Sequence, residues 1–346
     1  MELYEYARPD LMDGKKLLFL HGFASSGQNG SVKTLRTLLP KTEIIAPDLA
    51  VEPAEAMGSL KKLCGSEKPD LIIGTSMGGM YAELMEGFWK ILVNPAFQLA
   101  DTILKNNGLG KQEFHNPRKD GQTSFLVTKA LLEEFRECSA GCFGHSAEDN
   151  GKVYGLFGTH DTLVPGGFEL FSRHYTNAIR FNGEHNMNDS AILHSVLPVI
   201  QRIDDLQEGR SRKTVMISVT DTLADSANEK AKGKKYTEYE AKNSAYKAFC
   251  KLSESYDCHI LESMPYNSPD TWGEVVEWAE SHIGVPAWNK VTVSPRKDLI
   301  LGDYLIDAHA DENGADNFMG TVIKFGEEPF KNWDEVLEYF GRLGGQ

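Results

Sequence analysis

Three side chains in the first 206 residues have the types and the order that nucleophilic acyl chemistry needs. Ser76 lies in Gly74-Thr75-Ser76-Met77-Gly78-Gly79, directly after the apolar run Leu71-Ile72-Ile73 and directly before a helical pattern. A serine hydroxyl attacks poorly until a base takes its proton, and the base needs a carboxylate to fix its tautomer. Asp161 in Gly158-Thr159-His160-Asp161 follows the apolar run at 153–157, and His185 in Gly183-Glu184-His185 follows a weaker run at 178–181. Each of the three thus sits on a loop after a strand pattern, in the order Ser, Asp, His. This predicts Ser76 as nucleophile, His185 as base and Asp161 as the group that orients it. The competing reading makes Asp161 a turn cap and His185 a surface histidine. Asp120 and Asp189 are the other carboxylates in contention. A fourth part is His21-Gly22-Phe23 after Leu17-Leu18-Phe19-Leu20. A loop there can offer the Phe23 N–H, beside that of Met77, as an oxyanion hole. His21 itself reads as structural.

Such residues must be held by a rigid frame. Short apolar runs at 17–20, 44–46, 71–73, 91–93, 153–157 and 178–181 alternate with helical patterns near 31–39 and 77–87, and a last helix carries Ile192, Val196 and Ile200. Buried strands separated by helices predict an α/β fold with a mainly parallel sheet covered on both faces. The stretch at 207–212 is polar and without apolar periodicity, which places a linker there between a first domain at 1–206 and a second at 213–346. In the second domain, strands are expected at 215–219, 259–261, 291 and 304–306, and helices at 238–253 and 272–281.

Composition narrows the partners. The chain has 346 residues, 41% hydrophobic and 25% charged, as a soluble globular protein of two domains would. Thirty-six Lys and Arg against fifty Asp and Glu give a formal charge of -14. That balance repels a phosphate backbone, so no nucleic-acid partner is expected; the Lys-rich stretch at 230–235 is a short solvated run. No apolar stretch approaches the ~18 residues of a membrane span. An acidic start and five scattered cysteines suit a cytoplasmic location. Cys138, Cys142 and His145 lack a fourth ligand at metal spacing, so no metal or other cofactor is expected.

Residues 17 to about 203 resemble the α/β-hydrolase superfamily, and within it the small bacterial YqiA-like esterase family. The resemblance rests on Leu18-Phe19-Leu20-His21-Gly22-Phe23 with its following Ser pair, the elbow at 74–79, Val93-Asn94-Pro95-Ala96, and the turns at 158–161 and 183–185. It implies a serine esterase or thioesterase with little or no lid, acting on a small-molecule ester. The match is loose at 121–152, which leaves the acyl pocket undefined.

Residues 213 to about 343 resemble the haloacid dehalogenase-like phosphatases, particularly the 5'-deoxyribonucleotidase-like branch, a smaller Rossmann-like α/β unit. The resemblance rests on Pro295-Arg296-Lys297-Asp298-Leu299, residues 302–307, residues 320–326 and Trp333, with Ile260-Leu261-Glu262-Ser263-Met264-Pro265 at the family's second motif. The family opens with Asp-x-Asp-x-Thr, whose first Asp is the nucleophile and whose second is the acid/base. Matching Thr222-Leu223-Ala224 to the motif's tail puts Ser218 and Thr220 at the two Asp positions, and the later acidic pair is reduced to Asp307-Ala308. Hydroxyls supply neither the nucleophile nor the charge that holds Mg²⁺. A phosphatase-like appendage without activity follows, structural, regulatory or dimerising. Ser218, Thr220, Ser263, Lys297 and Asp307 form a vestigial anion site, unless Lys297 pairs with Asp303 or Asp307 and binds nothing. The alternative for the whole chain is a nucleotide- or phosphate-binding sensor that uses the hydrolase fold as a scaffold.

Overall fold

The computed structural model describes residues 3–226, 235–263 and 270–344. The chain divides into two compact units, Met1–Glu208 and Gly209–Gln346. The basic stretch at 230–234 and the Met264-Pro265 end of the second motif lie outside the described residues.

In the first unit, β1 (Lys16–Leu20), β2 (Glu43–Ile45), β3 (Leu71–Thr75), β4 (Lys90–Val93), β7 (Val153–Gly158) and β8 (Asn177–Phe181) form one sheet in the order β2-β1-β3-β4-β7-β8. Every neighbouring pair is parallel. Parallel neighbours need a crossover between them, which the helices supply: α1 (Gly30–Leu38) joins β1 to β2, α2 (Pro53–Glu67) joins β2 to β3, and α3 (Met77–Glu83) joins β3 to β4. Leu17 to Leu20, Leu71 to Ile73 and Ile91 to Val93 are all buried, as strands covered on both faces must be.

The crossover from β4 to β7 is longer. It holds α4 (Leu99–Asn106), a hairpin of β5 (Gly110–Glu113) and β6 (Ser124–Val127), and α5 (Lys129–Ser139). The expectation of little or no lid is therefore corrected: an inserted segment is present and packs on the loop after β1. Its Phe125 and Phe135 meet the Phe23 ring edge-on at 5.2 and 6.4 Å. The hairpin is tied to the same loop by His115 N–H donating to the Ala24 carbonyl and Asn116 Nδ2 to Ser25 Oγ.

The last helix of this unit, Leu197–Glu208, runs two residues past the expected boundary. Lys15 accounts for it, because its ammonium pairs with Asp204 at 2.6 Å and Glu208 at 2.7 Å and donates to Gln207 Oε1. Gln207 in turn donates to the Asp70 carbonyl, so the final turn is docked rather than free.

The second unit holds a parallel five-stranded sheet, order β13-β12-β9-β14-β15, from β9 (Thr214–Ile217), β12 (Asp257–Glu262), β13 (Val291–Val293), β14 (Tyr304–Asp307) and β15 (Thr321–Lys324). The helix expected at 238–253 begins only at Ala245. Upstream of it, β11 (Glu240–Ala241) pairs antiparallel with β10 (Ala224–Asp225), and Lys242 N–H donates to the Leu223 carbonyl. Those bonds engage backbone that a longer helix would have used. The helix Trp333–Leu343 closes the core with Trp333, Val336 and Phe340 buried.

Candidate functional site

Ser76 sits between β3 and α3 with φ 53, the left-handed region that a residue with a side chain adopts only under constraint. The constraint is backbone hydrogen bonding: Ser76 N–H donates to the Val93 carbonyl, and its own carbonyl accepts from Gly79, Met80 and Ala96. The flanking glycines are sterically required. A Cβ on Gly78 would stand 2.1 Å from the Leu20 carbonyl oxygen, and one on Gly74 would stand 2.2 Å from that of Gly78. α3 can therefore lie directly against β1, and the serine hydroxyl is carried out over the strand ends.

Ser76 Oγ lies 3.0 Å from His185 Nε2, and His185 Nδ1 lies 2.8 Å from Asp161 Oδ2. The other Asp161 oxygen accepts the N–H groups of Leu163 and Val164 at 2.8 and 3.3 Å. Burial works against the Asp161 charge, but the His185 bond and these two amides outweigh it and hold the carboxyl below its usual range. The His185 side chain is 15% exposed and that of Asp161 is 5% exposed, so solvent reaches the base but hardly its orienting group. The other two carboxylates are engaged elsewhere, Asp189 accepting from Thr34 Oγ1 at 2.6 Å and Asp120 pairing with Arg118.

Met77 is the first residue of α3, where a helix N–H has no acceptor one turn back. Neither its N–H nor that of Phe23 donates to another group among the described residues. Gly22 keeps the Phe23 loop close, since a Cβ there would lie 3.4 Å from that of Ser76. His21 is buried and doubly bonded: Nε2 accepts the Leu49 N–H at 3.0 Å, which leaves the proton on Nδ1 to donate to the Gly22 carbonyl. Burial, aided by Arg118 and opposed by the Gly22 carbonyl, pushes its pKa down to about 4.

One residue of the site was not assigned a role in the sequence. Asn94, after β4, is buried with φ 45. Its Oδ1 accepts the Gly158 N–H at 2.7 Å, while Nδ2 donates to the carbonyls of Glu184 and His185 at 2.9 and 3.0 Å. One amide thereby joins the start of the Asp161 loop to the His185 loop. The available signal was Asn94 in Val93-Asn94-Pro95-Ala96, a polar residue directly after a buried strand. A cavity of about 630 Å³ is lined by Phe125 together with, among others, Leu49, Val51, Leu60 and Leu131. Ser76, Asp161 and His185 do not line it.

In the second unit, Ser218, Lys297 and Asp307 meet and are buried. Lys297 Nζ lies 2.5 Å from Asp307 Oδ2, and Ser218 Oγ donates to Asp307 Oδ1 at 2.9 Å. Thr220 and Ser263 do not join them: Thr220 Oγ1 bonds the Tyr236 hydroxyl, and Ser263 Oγ accepts from Asn313. A second buried carboxylate at this end of the sheet is Glu262, to which the sequence assigns no role within the second motif. Among the described residues, no group of three or more His, Cys, Asp or Glu is placed to hold a metal ion, and no helix is long and apolar enough to cross a membrane.

Residues 16–139 match the family model described as "Uncharacterised protein family (UPF0227)", on the segment whose motifs resemble the YqiA-like esterases. A Vibrio phage KVP40 protein with the provisional name 5'(3')-deoxyribonucleotidase is 38% identical over 95 residues, 28% of this chain and 55% of that protein. The chain thus spans about half the length of that curated relative, and the match over those residues supports the resemblance of the second unit. Among solved structures, a monoacylglycerol lipase of Paleococcus ferrophilus is 14% identical with a TM-score of 0.41, over 54% of this chain and 94% of that one. Est1E of Butyrivibrio proteoclasticus, solved with ferulic acid, is 15% identical with a TM-score of 0.38, over 58% and 90%.

Proposed function

We propose that the first unit is a serine hydrolase that cleaves carboxylic esters or thioesters through an acyl-enzyme on Ser76, and that the second unit transfers no phosphoryl group. The observation that carries this reading is the continuous relay from Ser76 Oγ through His185 to Asp161, at 3.0 and 2.8 Å. His185 Nε2 takes the hydroxyl proton as Oγ attacks the carbonyl carbon, and returns it to the departing alcohol or thiol. Water then repeats the sequence on the acyl group and frees the acid and Ser76. Asp161 keeps the Nδ1 proton in place and stabilises the imidazolium. The N–H groups of Phe23 and Met77 meet the charge that develops on the carbonyl oxygen, so no metal is required for it. In the second unit, the positions of the two expected aspartates hold Ser218 and Thr220, and Lys297 is already neutralised by Asp307.

The test is intact-protein mass after fluorophosphonate treatment. One adduct per chain, absent from Ser76→Ala, is expected; an adduct that persists in Ser76→Ala overturns the reading.

A further inference from the structure

The Glu262 carboxylate ends β12 and is 2% exposed. Its Oε2 accepts the N–H groups of Val219 at 2.8 Å and Thr220 at 2.7 Å, and its Oε1 accepts the Ser263 N–H at 2.8 Å. Val219 and Thr220 follow β9, which pairs with β12 in parallel, Ile217 opposite Ile260. The three amides therefore converge at the carboxyl ends of two adjacent strands. Ligands of open α/β sheets collect there, and successive backbone N–H groups form a concavity for an anion. Here the anion is part of the chain.

We infer that Glu262 is a built-in occupant of an oxyanion-binding nest, and that the second unit takes up a phosphate-type anion only when that carboxylate is removed. The charges support this. A buried carboxylate persists when hydrogen bonds to its charged form replace lost hydration, and three amides do so here. The nearby cation cannot recruit a ligand either, because Lys297 is closed against Asp307, with both side chains at most 2% exposed. The loss of the two aspartates at 218 and 220 removes the chemistry; Glu262 removes the binding. These are separate changes. Restoring Ser218→Asp and Thr220→Asp alone therefore leaves the nest closed.

The probe is inorganic phosphate, with the full-length protein and chloride at matched ionic strength as the control. Calorimetric titration and melting temperature should show no phosphate binding by the wild type up to tens of millimolar. Glu262→Ala should bind phosphate at least tenfold more tightly than the wild type and melt higher in phosphate than in chloride. Glu262→Gln keeps the shape and an acceptor for two amides, so it guards against a folding defect; it should bind between the two. Folded Glu262→Ala without phosphate affinity, or a wild type that binds as well as the variant, overturns the inference. If neither variant folds, the wild-type amide resonances of Val219, Thr220 and Ser263 decide. Constancy across a phosphate titration is required, and saturable shifts overturn it. None of these readouts depends on Ser76, so failure here leaves ester cleavage standing, and the reverse.

Discussion

At the scale of single residues, the relay assigns a distinct cost to each side chain. His185→Ala removes the base, and kcat should fall by about 10⁴–10⁶-fold with KM little changed, since the base acts only in the transition state. Asp161→Asn keeps the shape but lets the imidazole adopt the wrong tautomer, so steady-state ester hydrolysis should drop by about 10⁴-fold. Asp189→Asn, whose carboxylate serves Thr34, should leave kcat nearly intact. His21 makes a separate prediction about pH. Its folded pKa of about 4 lies below the usual 6.5, so the fold favours the neutral ring. Its contribution is fully present above pH 6.5, falls away between pH 6.5 and 4, and changes no further below. By linkage the loss is about 3 kcal/mol. Urea unfolding from pH 7 to 4 should show that slope in the wild type and a flatter one in His21→Gln. That Ser76, Asp161 and His185 meet was legible in the sequence because acyl chemistry would limit both their type and their order. Glu262 was not, because a glutamate closing a strand reads as an exposed end until the neighbouring strand brings its amides alongside.

At the scale of elements, the site depends on three loops leaving β3, β7 and β8, and Asn94 joins two of them. Asn94→Ala removes three hydrogen bonds without altering the side chains of Ser76, Asp161 or His185. Displacement of a base by even an ångström is costly, so kcat should fall by about 10–100-fold. The expected signature is a kcat effect without a matching rise in KM, with fluorophosphonate labelling slowed but still confined to Ser76. Unchanged turnover in folded Asn94→Ala would remove it from the site. The central strands β1, β3, β4 and β7 could be read from sequence because each is a nearly continuous buried run, whereas β2 and β8 carry the exposed Glu43 and Arg180. The hairpin of β5 and β6 could not: alternate residues of β5 are exposed, and the apolar side of β6 is recognisable only once Phe125 rests on Phe23. The helix predicted at 238–253 starts too early for a related reason, since the short ribbon of β10 and β11 leaves no apolar periodicity of its own.

At the scale of the whole molecule, the proposed function makes a separate prediction for each unit. Ester turnover should survive EDTA unchanged, because the proposed mechanism meets the oxyanion with backbone N–H groups; strong inhibition by the chelator would contradict this. Phosphate release from p-nitrophenyl phosphate or deoxynucleoside monophosphates with millimolar Mg²⁺ should be absent, and turnover that Ser218→Ala abolishes would refute the assignment. The parallel sheet of the first unit has a further consequence in time. β1 must find β3 across the whole of α1, β2 and α2, and β4 must find β7 across the inserted hairpin and helices. Such distant pairings are slow to form, because the chain between them is ordered before the contact rewards it. The Ser76 N–H has its Val93 acceptor only once β4 lies beside β3, and Ser76 has His185 beside it only once β8 has docked on β7. A nascent or partly refolded chain therefore carries an ordinary alcohol at position 76. On the proposed relay, reactivity arrives with the last strand of the sheet, so the chain stays silent until β8 has been made and has docked.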